Sequence, residues 1–163
     1  MREKRPPDDR FKIYVDQLKS GHVEKLDEEF APDFLGVDEK ALAFKSPVLV
    51  KGKAYAAEGE LILDLDIETE ATLPCSICNE PVQVKIELHH WYLAVPLAEI
   101  TSAIYSLVEP LREAILLETP KFAECGGACP ERKNLDKFLK KESPLNGVDH
   151  LHYRPFEGLK SDD

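Results

Sequence analysis

From Glu60 to Leu88 the chain reads ELILDLDIETEATLPCSICNEPVQVKIEL, and this stretch decides the fold. Ahead of its cysteines, Leu61, Leu63, Leu65, Ile67, Thr69, Ala71 and Leu73 take every second position. Glu60, Asp64, Asp66, Glu68 and Glu70 take the positions between them, with Ile62 the one breach. A period of two puts the first set on one face of a strand and the second on the other, so the pattern predicts a half-buried strand. Beyond the cysteines the alternation resumes, with Val82, Val84, Ile86 and Leu88 against Gln83, Lys85 and Glu87. Turn formers from Pro74 to Pro81 join the two runs, so they make an antiparallel hairpin with Cys75-Ser76-Ile77-Cys78 at its tip. Past His89-His90 the apolar phase moves to Trp91, Leu93 and Val95, as it would at a bulge that inserts one residue.

The chain's four cysteines form two close pairs, Cys75/Cys78 and Cys125/Cys129. Two sulfurs so near in sequence can turn toward one ion, and a distant second pair completes a tetrahedron. The second pair, Cys125-Gly126-Gly127-Ala128-Cys129-Pro130, has glycines that let the backbone double back on its sulfurs. Both pairs read as knuckles of one structural zinc site with Cys75, Cys78, Cys125 and Cys129 as ligands. Buried thiols in a metal-free core are the plain alternative. A redox C-x-x-C of the thioredoxin kind opens a helix in a βαβ unit, whereas a strand follows here. The H-x-E and P-C-x-x-C signature of zinc deaminases is formally present as His22-Val23-Glu24 and Pro74 to Cys78. That chemistry needs three ligands and an open position, and it would leave Cys125 and Cys129 idle, so His22 and Glu24 read as solvent-side residues. His89, His90, His150 and His152 carry no catalytic or metal pattern, and no triad or phosphate-cradling glycine loop stands out.

Elsewhere the signals are shorter. Phe11, Ile13 and Val15 alternate and predict an opening strand; Leu42/Phe44 and Val48/Val50 predict two more, or one broken at Ser46-Pro47. Ser106-Leu107-Val108-Glu109 matches a capping box, with Leu111, Ala114 and Ile115 at helical spacing up to Thr119-Pro120. A second helix is expected after the second knuckle, with Pro130 at its first position, Cys129 directly before it, and Leu135, Phe138 and Leu139 on one face. The sum is an α+β fold: a mainly antiparallel sheet, two helices, and a four-cysteine site joining a hairpin tip to an interhelical loop. We divide the chain into a charged leader (1–10), one domain (11–142) and an irregular tail (143–163).

A formal charge of −10 argues against coating nucleic acid by bulk electrostatics, so any RNA contact is local. The basic residues that offer one are Arg132, Lys133, Lys137, Lys140 and Lys141, whose bland reading is a solvated helix face. With no apolar run long enough to span a bilayer and thiols arranged as ligands, the expected setting is the cytoplasm.

The order of these features resembles the YceD family of bacterial and plastid proteins: an alternating strand entering C-x-x-C, a second strand, a helix Leu111-Arg112-Glu113-Ala114-Ile115-Leu116-Leu117-Glu118-Thr119-Pro120, then a cysteine pair followed by proline. The likeness spans roughly Phe11 to Lys141 and is most specific from Leu73 to Pro130. It implies a non-enzymatic factor needed for accumulation of large-subunit ribosomal RNA, with no membrane and no small-molecule substrate. Arg112 and Glu113 match the family helix. Many relatives continue the second motif as C-P-x-C, whereas Glu131-Arg132-Lys133 follows Pro130 here. The expected partner is large-subunit ribosomal RNA, or a ribosomal protein. The rival reading is an adaptor whose acidic sheet face docks a basic ribosomal protein without touching RNA.

Overall fold

The computed structural model describes residues 10–139. They fall into two units, one ending at Cys129 and one beginning at Pro130. The first unit runs β1 (Lys12–Tyr14), α1 (Val15–Lys19), β2 (Glu24–Phe30), β3 (Ala43–Phe44), β4 (Val48–Ala57), β5 (Glu60–Pro74), β6 (Pro81–Pro96), β7 (Ile104–Ser106) and α2 (Val108–Glu118). The second holds α3 (Arg132–Leu139). No helix among the described residues is long and apolar enough to cross a membrane.

The alternating stretch forms the sheet's centre. β5 carries β4 and, further along the same edge, β3; β6 lies on its other edge and β2 lies outside β4, every pairing antiparallel. β1 and β7 make a separate antiparallel ladder. Between β4 and β5, Ala57 pairs with Glu60, and the two residues that link them, Glu58 and Gly59, have φ of 52° and 82°. Two consecutive left-handed residues make the primed turn whose twist matches that of a hairpin.

The faces of β5 divide as the period requires. Leu61, Leu63, Leu65, Ile67, Thr69, Ala71 and Leu73 are all buried. Their cover includes Leu111, Ala114 and Ile115 of α2, spaced three and four apart so that one helical stripe meets the sheet. Each large apolar side chain so buried contributes about 2 kcal/mol. At the edge of this core Phe11 stacks on Phe30 with ring centroids 4.1 Å apart, while Phe34 tilts against Phe11. Ile62 breaks the alternation yet is buried on the opposite face, where its cross-strand neighbours are Tyr55 and Ala94.

The bulge in β6 is present. Ile67 pairs with Leu88 and Leu65 with Trp91, so His89 and His90 together face Asp66 alone. His90 takes φ 52°, and its N–H donates to the Asp66 carboxylate at 2.9 Å.

Several expectations need correction. Among the described residues there are three α-helices rather than two, because Val15 opens the five-residue α1 instead of extending the first strand. Its N–H turns to the Ala103 carbonyl at 2.9 Å, and Val15 and Leu18 are buried one turn apart. The first residue of α2 is Val108, its N-cap is Leu107, and that N-cap makes no side-chain hydrogen bond. Ser106 ends β7 and its hydroxyl accepts from the Val108 N–H at 3.4 Å. Glu24 is buried on the inner face of β2, not solvent-side, while His22 is exposed as expected. α3 starts at Arg132, so Pro130 and Glu131 precede it and Cys129 is not at its N-terminus. The second strand of the Leu42 to Val50 region extends to Ala57.

The outer face is less acidic than β5 alone suggests. Lys53 lies 3.7 Å from Asp64, and Lys51 and Lys85 stand opposite Asp66 and Glu70 in the register. Lysines on both flanking strands thus offset the carboxylates of the central one, as cross-strand pairs of opposite charge do.

Candidate metal centre

The long β5–β6 hairpin delivers the first knuckle. Pro74 still pairs with Pro81, and within the tip the Cys75 N–H donates to the Glu80 carbonyl at 2.7 Å, while the Asn79 N–H donates to the Cys75 carbonyl at 3.0 Å. Asn79 closes the turn at φ 63°, a conformation that asparagine tolerates better than most residues. The second knuckle is docked on the first by backbone. Cys75 and Ala123 form a parallel bridge, and the Ser76 N–H donates to the Ala123 carbonyl at 2.8 Å. Beyond Glu124 the chain folds back through Gly126 and Gly127, at φ 63° and 78°. The Glu124 side chain then accepts the Cys129 N–H at 3.2 Å.

These turns bring Cys75, Cys78, Cys125 and Cys129 into one group, with every sulfur within 4.8 Å of the others. None of the four is in a disulfide. Sulfur atoms bound tetrahedrally at about 2.3 Å from an ion are about 3.8 Å apart. The Cys78 and Cys125 sulfurs stand 3.6 Å apart, so the cluster is already near the size of a tetrahedral thiolate site. It is compatible with a metal site, and it draws one buried and one half-buried cysteine from each knuckle.

Charge explains why such a cluster wants a cation. The Cys78 amide directed at its sulfur pulls the Cys75 thiol down to about 6, against the opposing effect of burial and with help from the Cys125 and Ile77 amides. Cys125 goes the other way, pushed up to about 12 by hydrogen bonding to the Cys129 sulfur and then to that of Cys78, with burial adding to it. A bound cation removes the cost of placing several thiolates together.

Neither His22 nor Glu24 belongs to this group, and a strand follows Cys78 where a thioredoxin-type site has a helix. Arg132, Lys133 and Lys137 are exposed on α3, while Lys140, Lys141, His150 and His152 lie outside the described residues. His89 and His90 are exposed beside Asp66 and Asp64, their ring nitrogens at 4.0 and 3.5 Å from the carboxylates. Arg112 has a structural partner, its Nε donating to the Leu35 carbonyl at 2.9 Å. Sequence reasoning missed Glu124, whose spacing one residue before Cys125 was the available signal. It also missed a cleft of about 360 Å³ beside the first knuckle, lined by Pro74, Ile77, Lys121 and Phe122 among others.

Set against known proteins, the chain matches no family model, no curated protein and no solved structure.

Proposed function

We propose that this protein is a non-enzymatic, zinc-stapled factor of the YceD type that supports accumulation or assembly of large-subunit ribosomal RNA. The observation that carries the reading is the convergence of four thiols from two distant knuckles. Four soft sulfur ligands within 4.8 Å of one another suit zinc better than calcium or magnesium, which take oxygen. A closed four-cysteine shell leaves no coordination position for a reactive water, so its role is to hold the hairpin tip against the segment after α2. Binding of such an ion is worth about 10–16 kcal/mol in small zinc domains, enough to order two knuckles that share no other covalent link.

The basic residues of α3 are the proposed RNA contact. Lys133 and Lys137 are exposed on it, with Leu135 and Phe138 exposed on the same helix. The adaptor reading has less support, because the carboxylates of β5 are flanked by Lys51, Lys53 and Lys85. Elemental analysis of the purified chain tests the metal: about one zinc per chain is expected from a closed four-thiolate shell. A metal-free protein with a reversible Cys75–Cys78 disulfide would replace this reading with a redox one. Crosslinking in cells tests the partner, with ribosomal RNA the expected species and recovery of protein alone the opposing result.

A further inference from the structure

The four sulfurs are not equivalent. Cys75 and Cys129 are buried, whereas Cys78 and Cys125 are only half-buried. The two outward sulfurs belong to different knuckles and lie 3.6 Å apart, 47 residues apart in sequence. An oxidant arriving from solvent therefore meets one thiolate of each knuckle, with the other as its neighbour. We propose that Cys78 and Cys125 form an oxidation site at which a peroxide converts the metal staple into a covalent one, a disulfide linking the hairpin tip to the second knuckle. This rests on the reading of the cluster as a metal site and adds its response to oxidation.

The chemistry balances with hydrogen peroxide as the two-electron oxidant. Taking Cys78 first, its thiolate sulfur attacks one peroxide oxygen; an S–O bond forms, the O–O bond breaks, and hydroxide leaves to be protonated to water. The product is a sulfenic acid. The Cys125 thiolate then attacks that sulfur, the S–S bond forms, the S–O bond breaks, and the second oxygen leaves as hydroxide and is protonated. Two thiolates, one peroxide and two protons give one disulfide and two waters. Cys75 and Cys129 remain as a two-sulfur set, too few for a closed tetrahedral shell, so the ion is released.

Pairing within a knuckle would give a different molecule. A Cys75–Cys78 or Cys125–Cys129 disulfide closes only a short loop and leaves the hairpin tip without a covalent tie to the segment after α2. The Cys78–Cys125 bond instead retains that tie after the ion has gone. The backbone bridge between Cys75 and Ala123, with the Ser76 N–H on the Ala123 carbonyl, already holds the two segments in the required proximity.

The test treats the full chain, purified without chelator, with stoichiometric hydrogen peroxide. A chromogenic zinc chelator reports release, and free thiols are alkylated before digestion under non-reducing conditions. Mass spectrometry with fragmentation then assigns the bonds. The expected result is loss of two free thiols per chain, a crosslink between the peptides carrying Cys78 and Cys125, alkylation of Cys75 and Cys129, and loss of the metal in step with the crosslink. Zinc release with a disulfide confined to one knuckle, or with sulfinic acid and no disulfide, overturns the proposal while leaving the metal reading intact. A Cys78–Cys125 crosslink in a chain that never held metal has the opposite meaning: the pairing stands and the zinc reading falls. Wild-type mapping decides the pairing without any variant, and Cys78→Ser and Cys125→Ser, where they fold, should each abolish the crosslink.

Discussion

Gly52 sits in β4 with φ of 148°, across from Leu65 of the central strand, and a Cβ added there would run into the Asp64 carbonyl oxygen and come within 2.9 Å of the Leu65 Cα. Both obstacles are backbone and cannot rotate away. Gly52→Ala is therefore expected to cost about 1–3 kcal/mol, the range of an overpacked site, as a lower denaturation midpoint at unchanged slope. A midpoint equal to wild type would mean that the two strands do not approach so closely. The thiols make a second prediction at this scale, for the metal-free protein. Cys75 lies at about 6 in the fold against an ordinary 9.0, so the fold favours its thiolate; that contribution is full above 9.0 and is lost as pH falls through about 6. Cys125 lies at about 12, so the fold favours its neutral thiol; that contribution is full below 9.0 and is lost as pH rises through about 12. As far as these two groups act, stability of the metal-free chain rises with pH from about 6 to 9.0 and falls beyond it. Denaturant titrations across that range, with the cysteine-to-serine variants as controls, check both limbs.

At the scale of elements, β6 shows why the bulge is harmless. Because His89 and His90 together oppose Asp66, deleting His89 returns the ladder to one-to-one pairing with Trp91 still opposite Leu65, and a cost on the order of 1 kcal/mol or less is expected. Deleting Tyr92 instead shifts the residues after it by one and turns Leu93 and Val95 to the outer face, at an expected cost of at least about 2 kcal/mol. Comparable melting temperatures for the two deletions would contradict the register. The knuckles give a paired prediction: replacing Cys125 and Cys129 by serine should lower metal content and melting temperature as much as replacing Cys75 and Cys78, since either change leaves half a coordination shell. The hairpin and α2 were legible because apolar residues recur at strand or helical spacing along one face of each, and the bulge because the strand spacing shifts by one at His89-His90. β2 was not, since Glu24 and Glu28 share its inner face with Leu26 and Phe30 and erase the alternation. Glu28 is tolerated there because Arg10 reaches to 3.8 Å of its carboxylate, a contact that sequence spacing does not announce. Five residues are too few for a helical period to show, which hid α1. The cysteine group was legible from spacing alone, whereas the position of Cys129 relative to α3 was misread, because the helix opens only at Arg132 and Pro130 and Glu131 stand between them.

For the whole molecule, the proposed reading requires a chain of net charge −10 to bind RNA. Long-range attraction is absent, so binding must rest on a few phosphates neutralised at short range, and such contacts are strongly salt-dependent because each releases condensed counterions. On the proposed reading α3 supplies them. Replacing Lys133 and Lys137 by glutamate should weaken binding to large-subunit ribosomal RNA fragments and reduce the slope of log affinity against log salt by roughly 1–2, at about 0.7 per lost contact on single strands. Zinc content and melting temperature should stay at wild-type values, because both side chains are exposed and neither belongs to the cysteine group. A variant that loses RNA binding together with metal would point to a folding defect rather than a lost contact. If the wild-type chain binds no RNA at low salt yet captures a basic ribosomal protein, the α3 contact fails. The outer sheet face, acidic on β5 in spite of its flanking lysines, then becomes the surface to map, with charge reversals at Glu68 and Glu70 as the first variants to try.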